Sequence, residues 1–427
     1  MNKGPQTETG GGSGFLASLA FRDYRTLWTA NLSAGAAAWA LIVARGLLVY
    51  QLADTNQSLW VGVVTFGAMI PRVVVSPFTG YLSDRFDRRA VLASMFALNL
   101  GHTLFLGVLV LTGNAEIWHV VVLAVVNGSF RAAQMPAGQA LLPNLIPRRL
   151  LLNGIALSQA TMQGSRLLGP AAIAPLLVLV GPSGAFFLCA GFYAISLIQT
   201  LRIRTASTGN IDKNQSFLEN LAAGAVYVYK TPNLRAIVFL ALFHCGLTMS
   251  FESLLPVLSS EKLNMGNAGF AYFMMAVGAG ALVSSLTLAG IQSEVTRGRL
   301  FLYLGLFSGA TPIVLGMSSS IPMALVGAVL MGVSQAAFMT LTHTMIQSIV
   351  SDNVRGRVGG IYSVHIGGMM ATANLFNAAL ADRLNAPVLL IGGGLTFIAV
   401  MLISWQYRSL RNIYRRGLPQ EAPAAAD

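Results

Sequence analysis

Apolar runs of membrane-crossing length recur along the chain, each closed by a short polar stretch. They cover Trp28–Leu52, Leu59–Leu82, Val91–Thr112, Trp118–Leu142, Leu151–Val180, Gly184–Leu201, Leu234–Leu258, Gly269–Ile291, Leu300–Met317, Pro322–Ile349, Val358–Ala381 and Pro387–Tyr407. A helix crossing the hydrocarbon core needs ~20 apolar residues. In lipid each run must be a helix, because an open strand edge would leave backbone groups unpaired. Pro71, Pro77, Pro136, Pro170 and Pro175 fall inside runs and predict kinks, which membrane helices tolerate. The pattern predicts an all-α integral membrane protein with twelve transmembrane helices.

Composition agrees. Of 427 residues, 55% are hydrophobic and 10% charged, where a soluble domain carries about 25% charged residues. Such a chain cannot clothe a water-facing surface. That excludes a soluble enzyme, a disordered protein and a disulfide scaffold. Cys189 and Cys245 lie in apolar runs and read as small core hydrophobes. The first fourteen residues are polar and Gly-rich, without the pattern of a signal peptide.

The net charge of +12 would suggest nucleic acid in a soluble protein, but its placement gives it another meaning. With the N-terminus inside, 21 of the 27 Lys and Arg fall on one side of the membrane, two (Lys262 and Arg383) on the other, and four within spans. The positive-inside rule then puts both termini in the cytoplasm. No nucleic-acid partner is implied.

The chain also repeats. Gly80, Asp84 and Arg89 after the second span have counterparts in Gly290, Glu294 and Arg299 after the eighth, each 210 positions later. Two parallel sets of six spans form a transporter architecture with its central site between the halves. The expected organisation is a tail over residues 1–27, a six-helix bundle over 28–201, a linker over 202–233, a second bundle over 234–407 and a tail over 408–427. Within the linker, Phe217–Tyr229 has apolar residues at helical spacing and is expected on the membrane surface.

The stretch Gly80-Tyr-Leu-Ser-Asp84-Arg85-Phe-Asp-Arg88-Arg89 resembles the signature loop of the major facilitator superfamily. Asp87 stands where that pattern has its second glycine. Asp tolerates a left-handed turn better than most residues. The resemblance implies a gating loop in which Asp84 faces the N-terminal end of the eleventh helix, whose dipole favours an anion. Arg131-Ala-Ala-Gln134 is similar to the superfamily's embedded Arg-x-x-Gln motif, with Met135 in place of its usual glycine. Gly164 to Pro170 is a partial match to the antiporter motif of exporters. Phe21-Arg-Asp-Tyr-Arg-x-Leu-Trp28 and Val354-Arg-Gly-Arg-Val358 resemble the branch holding the enterobactin exporter and related bacterial drug exporters. The resemblance implies the superfamily fold, two six-helix bundles in a bacterial cytoplasmic membrane.

A charge at the bilayer centre costs ~2.5–3.5 kcal/mol on insertion scales, so an embedded ionisable residue is a functional candidate. The spans hold Arg45, Arg72, Arg131, Arg166 and one clear acid, Glu252. Asn127, Arg131, Gln134 and Gly138 form one stripe on the fourth span. Gln159, Gln163 and Arg166 form another on the fifth, and His244, Thr248 and Glu252 a third on the seventh. Thr340, His343 and Gln347 share a face of the tenth. Such stripes can converge on one wet cavity. Glu252 and Arg131 are the proton-coupling candidates, since desolvation favours a protonated carboxyl. Arg45, Asn127, Gln134, Gln163, Arg166 and His343 are expected to line the substrate cavity. Each has a plainer reading. Arg72 would bond carbonyls freed by flanking prolines, Arg45 would snorkel to the interface, and Glu252 would sit at the outer end of its helix.

No Gly-x-x-x-x-Gly-Lys-[Ser/Thr] phosphate loop is present, so ATP does not drive the process directly. The expectation is a monomeric, proton-coupled exporter of a small molecule, siderophore-like or drug-like, with no cofactor and no metal. An uptake symporter on the same fold is the alternative. A membrane-embedded transferase, which would need acids and histidines clustered at one membrane face, is more remote.

Overall fold

The computed structural model describes residues 16–75, 86–205, 217–288, 293–350 and 354–417. All regular structure among these is helical. The first six spans are α1 (Arg22–Leu52), α2 (Gln57–Val75), α3 (Arg88–Leu111), α4 (Ile117–Leu141), α5 (Leu151–Leu179) and α6 (Pro182–Leu201). The linker helix α7 covers Phe217–Lys230.

The seventh span is broken. Helix α8 (Pro232–Leu247) ends well short of the far side. Residues 248–254 are non-helical, and the path resumes as α9, one α-turn at Leu255–Val257 running into a π-turn at Leu258–Lys262. A continuous helix over Leu234–Leu258 is therefore not what forms. Then come α10 (Gly269–Leu288), α11 (Glu294–Met317), α12 (Ile321–Ile349), α13 (Arg355–Leu384), α14 (Ala386–Ser404) and a short helix α15 (Arg408–Arg416).

Ten of these helices are long and apolar enough to cross a membrane. The other two crossings are the broken seventh span and α13. Helix α13 is 30 residues long but rich in Gly, Asn, Ser, Thr and His, which dilutes its apolar character. Large apolar side chains such as Phe105, Val326 and Phe376 stand exposed, as acyl-facing residues of a membrane helix should.

Two seams join the halves: α2 packs on α13, and α5 on α10. In span order these are second on eleventh and fifth on eighth. A shift of six spans turns one seam into the other, as a parallel repeat requires. Close approach depends on small residues. A Cβ at Gly278 in α10 would meet the carbonyl carbon of Arg166 at 2.7 Å, so only glycine lets the α5–α10 seam close.

The halves are not joined evenly along their length. At the end opposite the termini, one apolar core runs through both halves, from Leu47 and Leu48 to Leu255, Leu258, Phe270 and Phe273. Towards the terminus-bearing end the second half has its own core, around Leu234, Phe301, Phe338 and Phe397. The structure is thus closed at the far end and has separate cores at the near end.

At the near end, Asp87 caps α3. Its φ is −58° and ψ 117°, and its carboxylate accepts from the Arg89 N–H at 2.9 Å. The expected left-handed turn is replaced by an N-cap, the stronger use of an aspartate before a helix. Helix α7 packs on α13, with Tyr229 Oη 2.7 Å from His365 Nε2. The Ile361 carbonyl, only an acceptor, lies 2.8 Å from His365 Nδ1, so Nδ1 carries the proton and Tyr229 donates to Nε2.

Candidate functional site

Glu252 sits where the halves meet, next to Phe251, whose ring lies 5.9 Å from the Arg166 guanidinium. It lies in the non-helical break and is 2% exposed. One of its carboxylate oxygens, Oε2, has no hydrogen-bond partner among the described residues. Arg166, Arg131 and Arg72, all from the first half, are within its electrostatic reach. Arg166 is also buried, its guanidinium 4.8 Å from the Trp39 ring centre and 5.9 Å from that of Phe251, beside Glu252. Its Nε has no partner among the described residues. Stacking on aromatic faces suits a buried guanidinium. Arg131 and Gln134, one turn apart on α4, are half-buried, as is Gln163 on α5.

The break itself is held by side chains from two other spans. Gln335 of α12 donates to the Thr248 carbonyl at 2.6 Å. Asn377 of α13 donates to the Ser250 carbonyl at 2.7 Å, and Asn374 accepts from the Ser253 N–H at 3.2 Å. Irregular backbone at membrane depth survives only when protein satisfies it, and these three amides do so. The sequence offered them only as isolated polar residues. Their pairing with a segment more than 80 positions away carries no local signal.

Arg45 and Asn127 lie elsewhere. Arg45 is 1% exposed, inside the first bundle, and donates from Nε to the Leu41 carbonyl at 3.2 Å. It does not reach an interface to snorkel. Asn127 is fully buried and donates to Asn99 of α3 at 2.6 Å. Arg45 Nη1 is buried there without a hydrogen-bond partner among the described residues, within charge range of Tyr193 and His102. Arg131 is in charge range of both Arg45 and Glu252, so it stands between this interior group and the seam.

In the second half, His244 is fully buried between Phe338 and Phe397 and pairs with Ser308 at 2.7 Å. The expected stripe of His244, Thr248 and Glu252 does not form, because the helix ends between them. His343 is exposed and packs edge-on against Tyr362. Of the gating loop, Gly80, Asp84 and Arg85 fall outside the described residues. Arg88 begins α3, and Arg89 donates to the Ile203 carbonyl at 2.9 Å, tying the loop to the end of α6. No group of three or more His, Cys, Asp or Glu able to hold a metal occurs among the described residues.

The far end is closed by polar contacts across the halves. Ser260 donates to Tyr50 Oη at 3.0 Å, and Tyr50 Oη donates to Glu261 at 3.2 Å. Gln51 donates to Asn267 at 3.2 Å. Beside them is a cavity of about 330 Å³ lined by Leu47, Pro256 and Phe270 among others.

The description "Transmembrane secretion effector" matches residues 13–416. The chain belongs to this family of the major facilitator superfamily. It is a multi-pass membrane transporter with the superfamily fold, as the two-seam, twelve-span arrangement requires. The multidrug efflux pump Tap of Mycolicibacterium fortuitum is 25% identical over 381 residues, 85% of this chain and 92% of its own. The enterobactin exporter EntS of Escherichia coli O127:H6 is 27% identical over 387 residues, 85% and 88% of the two chains. The staphyloferrin A transporter of Staphylococcus aureus is 22% identical, over 79% and 84%. Among solved structures, nucleoside transporter NupG superposes with a TM-score of 0.71 at 10% identity, covering 90% of this family member and all of that chain. A POT family transporter in complex with 5-aminolevulinic acid gives 0.71 at 13%. Both likenesses are of fold.

Proposed function

We propose that the protein is a proton-coupled exporter of a small polar molecule, working by alternating access as a monomer in a bacterial cytoplasmic membrane, with both termini inside. The observation that carries this is Glu252, a buried carboxylate with an unpartnered oxygen, on a break at the seam, facing arginines of the other half. Names of relatives support the direction: an efflux pump and a siderophore exporter. The basic side then faces the cytoplasm, and the structure is the inward-facing form.

Antiport requires that proton and cargo exclude each other. A cargo whose hydroxyl or amine donates to the Glu252 carboxylate competes with the proton for it, while the arginines hold an acidic group of the same molecule. A siderophore-like molecule carries both kinds of group. A purely anionic cargo would reverse the sign. It would add negative charge beside Glu252, favour protonation, and be carried together with the proton. The embedded guanidinium groups give an anionic cargo a place as well, and linkage decides between antiport and symport.

The test uses proteoliposomes holding the wild type or Glu252→Gln, with enterobactin, staphyloferrin A and cationic dyes as trial cargoes. Cargo that releases protons on binding supports antiport; proton uptake supports symport. Glu252→Gln should abolish stimulation by a pH gradient while leaving exchange without a gradient. A stable Glu252→Gln protein that still responds to the gradient overturns the assignment. The titrating group would then be sought at His343, His365 or Asp54.

A further inference from the structure

Helix α15 follows the last span after three residues and carries Arg408, Arg411, Arg415 and Arg416 within nine positions. Its other face is apolar and buried: Leu410, Ile413 and Tyr414 are 3% exposed or less. That face seats on α11 and α8. Tyr414 pairs with Ser404 of α14 at 2.7 Å and lies 6.2 Å from the Phe301 ring. A Cβ at Gly417 would meet the Glu294 backbone at 2.5 Å, so the end of α15 is pressed onto the start of α11. The helix is a fixed part of the second bundle.

Its depth in the membrane is marked by its own flanks. Trp405 and Tyr407, just before it, are 38% and 63% exposed. Exposed Trp and Tyr at a span's end sit at headgroup level. Arg415 lies 5.6 Å above the Trp405 ring, which places a guanidinium in the same layer. Arg408, Arg415 and Arg416 are exposed and Arg411 half-buried. None makes an ion pair among the described residues. Glu294, whose backbone the end of α15 approaches, is bound to Arg297 at 2.5 Å.

We propose that the outward face of α15 is a binding surface for the phosphate of anionic phospholipids, and that bound lipid braces the second bundle against the headgroup layer. A cluster of four guanidinium groups at the headgroup plane, rigidly seated and without an ion pair among the described residues, is complementary to a layer of phosphodiesters. Arginine's planar fork binds such oxygens two at a time. Each basic residue near an anionic bilayer contributes roughly a fivefold gain in association.

The full-length protein, purified in a neutral detergent, is titrated with phosphatidylglycerol, phosphatidylcholine or inorganic phosphate. Thermal unfolding and the number of retained lipids by native mass spectrometry are read. Phosphatidylglycerol should raise the unfolding midpoint and be retained, and phosphatidylcholine should not. The variant R408Q/R411Q/R415Q/R416Q should unfold as the wild type does without lipid. It should need at least about tenfold more phosphatidylglycerol for the same shift, as loss of even two such contacts implies. If the fourfold variant does not fold, R415Q/R416Q changes two exposed side chains only and should show an intermediate shift. An equal response of wild type and variants overturns the proposal. So does equal stabilisation by phosphatidylcholine, or a phosphate response that accounts for the whole effect and marks a free-anion site.

Discussion

Replacing Tyr50 with Phe tests whether the far-end contacts set the balance between the two states of the transporter. The ring stays, and only the hydroxyl shared by Ser260 and Glu261 is lost. Both partners belong to the second half and Tyr50 to the first, so both hydrogen bonds exist only while the far end is closed. A neutral intramolecular hydrogen bond contributes about 0.5–1.5 kcal/mol net. The bond to the Glu261 carboxylate is charge-assisted, but it is exposed, and solvent screening brings it to the lower end of that range. Together they amount to about 1–2 kcal/mol, a factor of 5–30 in the equilibrium between states. The assay uses Leu47→Cys, a position in the wall of the adjacent cavity, labelled by a membrane-impermeant maleimide added from the far side. Cys189 and Cys245 are buried and give little background. Adding Tyr50→Phe should speed labelling 5–30-fold. Labelling at the same rate would show that these hydrogen bonds do not hold the far end shut.

Asn377→Leu keeps size but orphans the buried Ser250 carbonyl, and should destabilise by about 1–3 kcal/mol, read as a lower thermal midpoint. The exposed Ser363→Ala on the same helix should stay within about 0.5 kcal/mol of wild type. Asp87→Ala removes the cap of α3 and should cost about 1 kcal/mol, while Asp87→Asn, which still caps, should keep most of it. Equal unfolding midpoints for the two Asp87 variants would mean that the cap contributes nothing.

The spans were legible because lipid imposes one rule on every backbone group, and an apolar run of sufficient length has one solution. The repeat was legible in Gly80 and Gly290, 210 positions apart, and the packing of α2 on α13 and of α5 on α10 carries the same six-span shift. The break in the seventh span was not. Phe251-Glu-Ser-Leu-Leu-Pro-Val-Leu258 is apolar enough to pass for helix, and its unwinding is made affordable by Gln335, Asn374 and Asn377, on helices far away in sequence. Burial was equally hidden. Arg45 and Arg166 look alike as single arginines in apolar runs. Yet one points into a four-helix interior among Asn127, His102 and Tyr193, and the other to the seam against Trp39 and Phe251. Only packing tells which stripe of a helix meets which neighbour.

The two spans that depart from the apolar norm are the ones that need each other. Helix α13 carries Asn374 and Asn377 at membrane depth, a burden a lipid-facing helix could not bear, because α8 and α9 leave backbone groups open at the same level. By the repeat, their counterparts in the first half are α5 and α1. There α1 is one unbroken helix of 31 residues, and α5 presents Arg166 to the seam instead of amides. The halves have therefore divided their roles. The first is a continuous frame that holds the four arginines, and the second holds the acid on a segment whose hydrogen bonds run to three side chains and can be exchanged. On the proposed reading, rocking the halves would change what Arg166 and Arg131 face, and the break would let Glu252 follow or withdraw without unwinding a helix. If that division is right, Gln335→Leu should disturb the environment of Glu252 far more than that of Arg45. A thiol-reactive fluorophore at Glu252→Cys would then shift its emission in Gln335→Leu, while one at Arg45→Cys would not. Equal shifts at both positions would mean that the two halves move as equals.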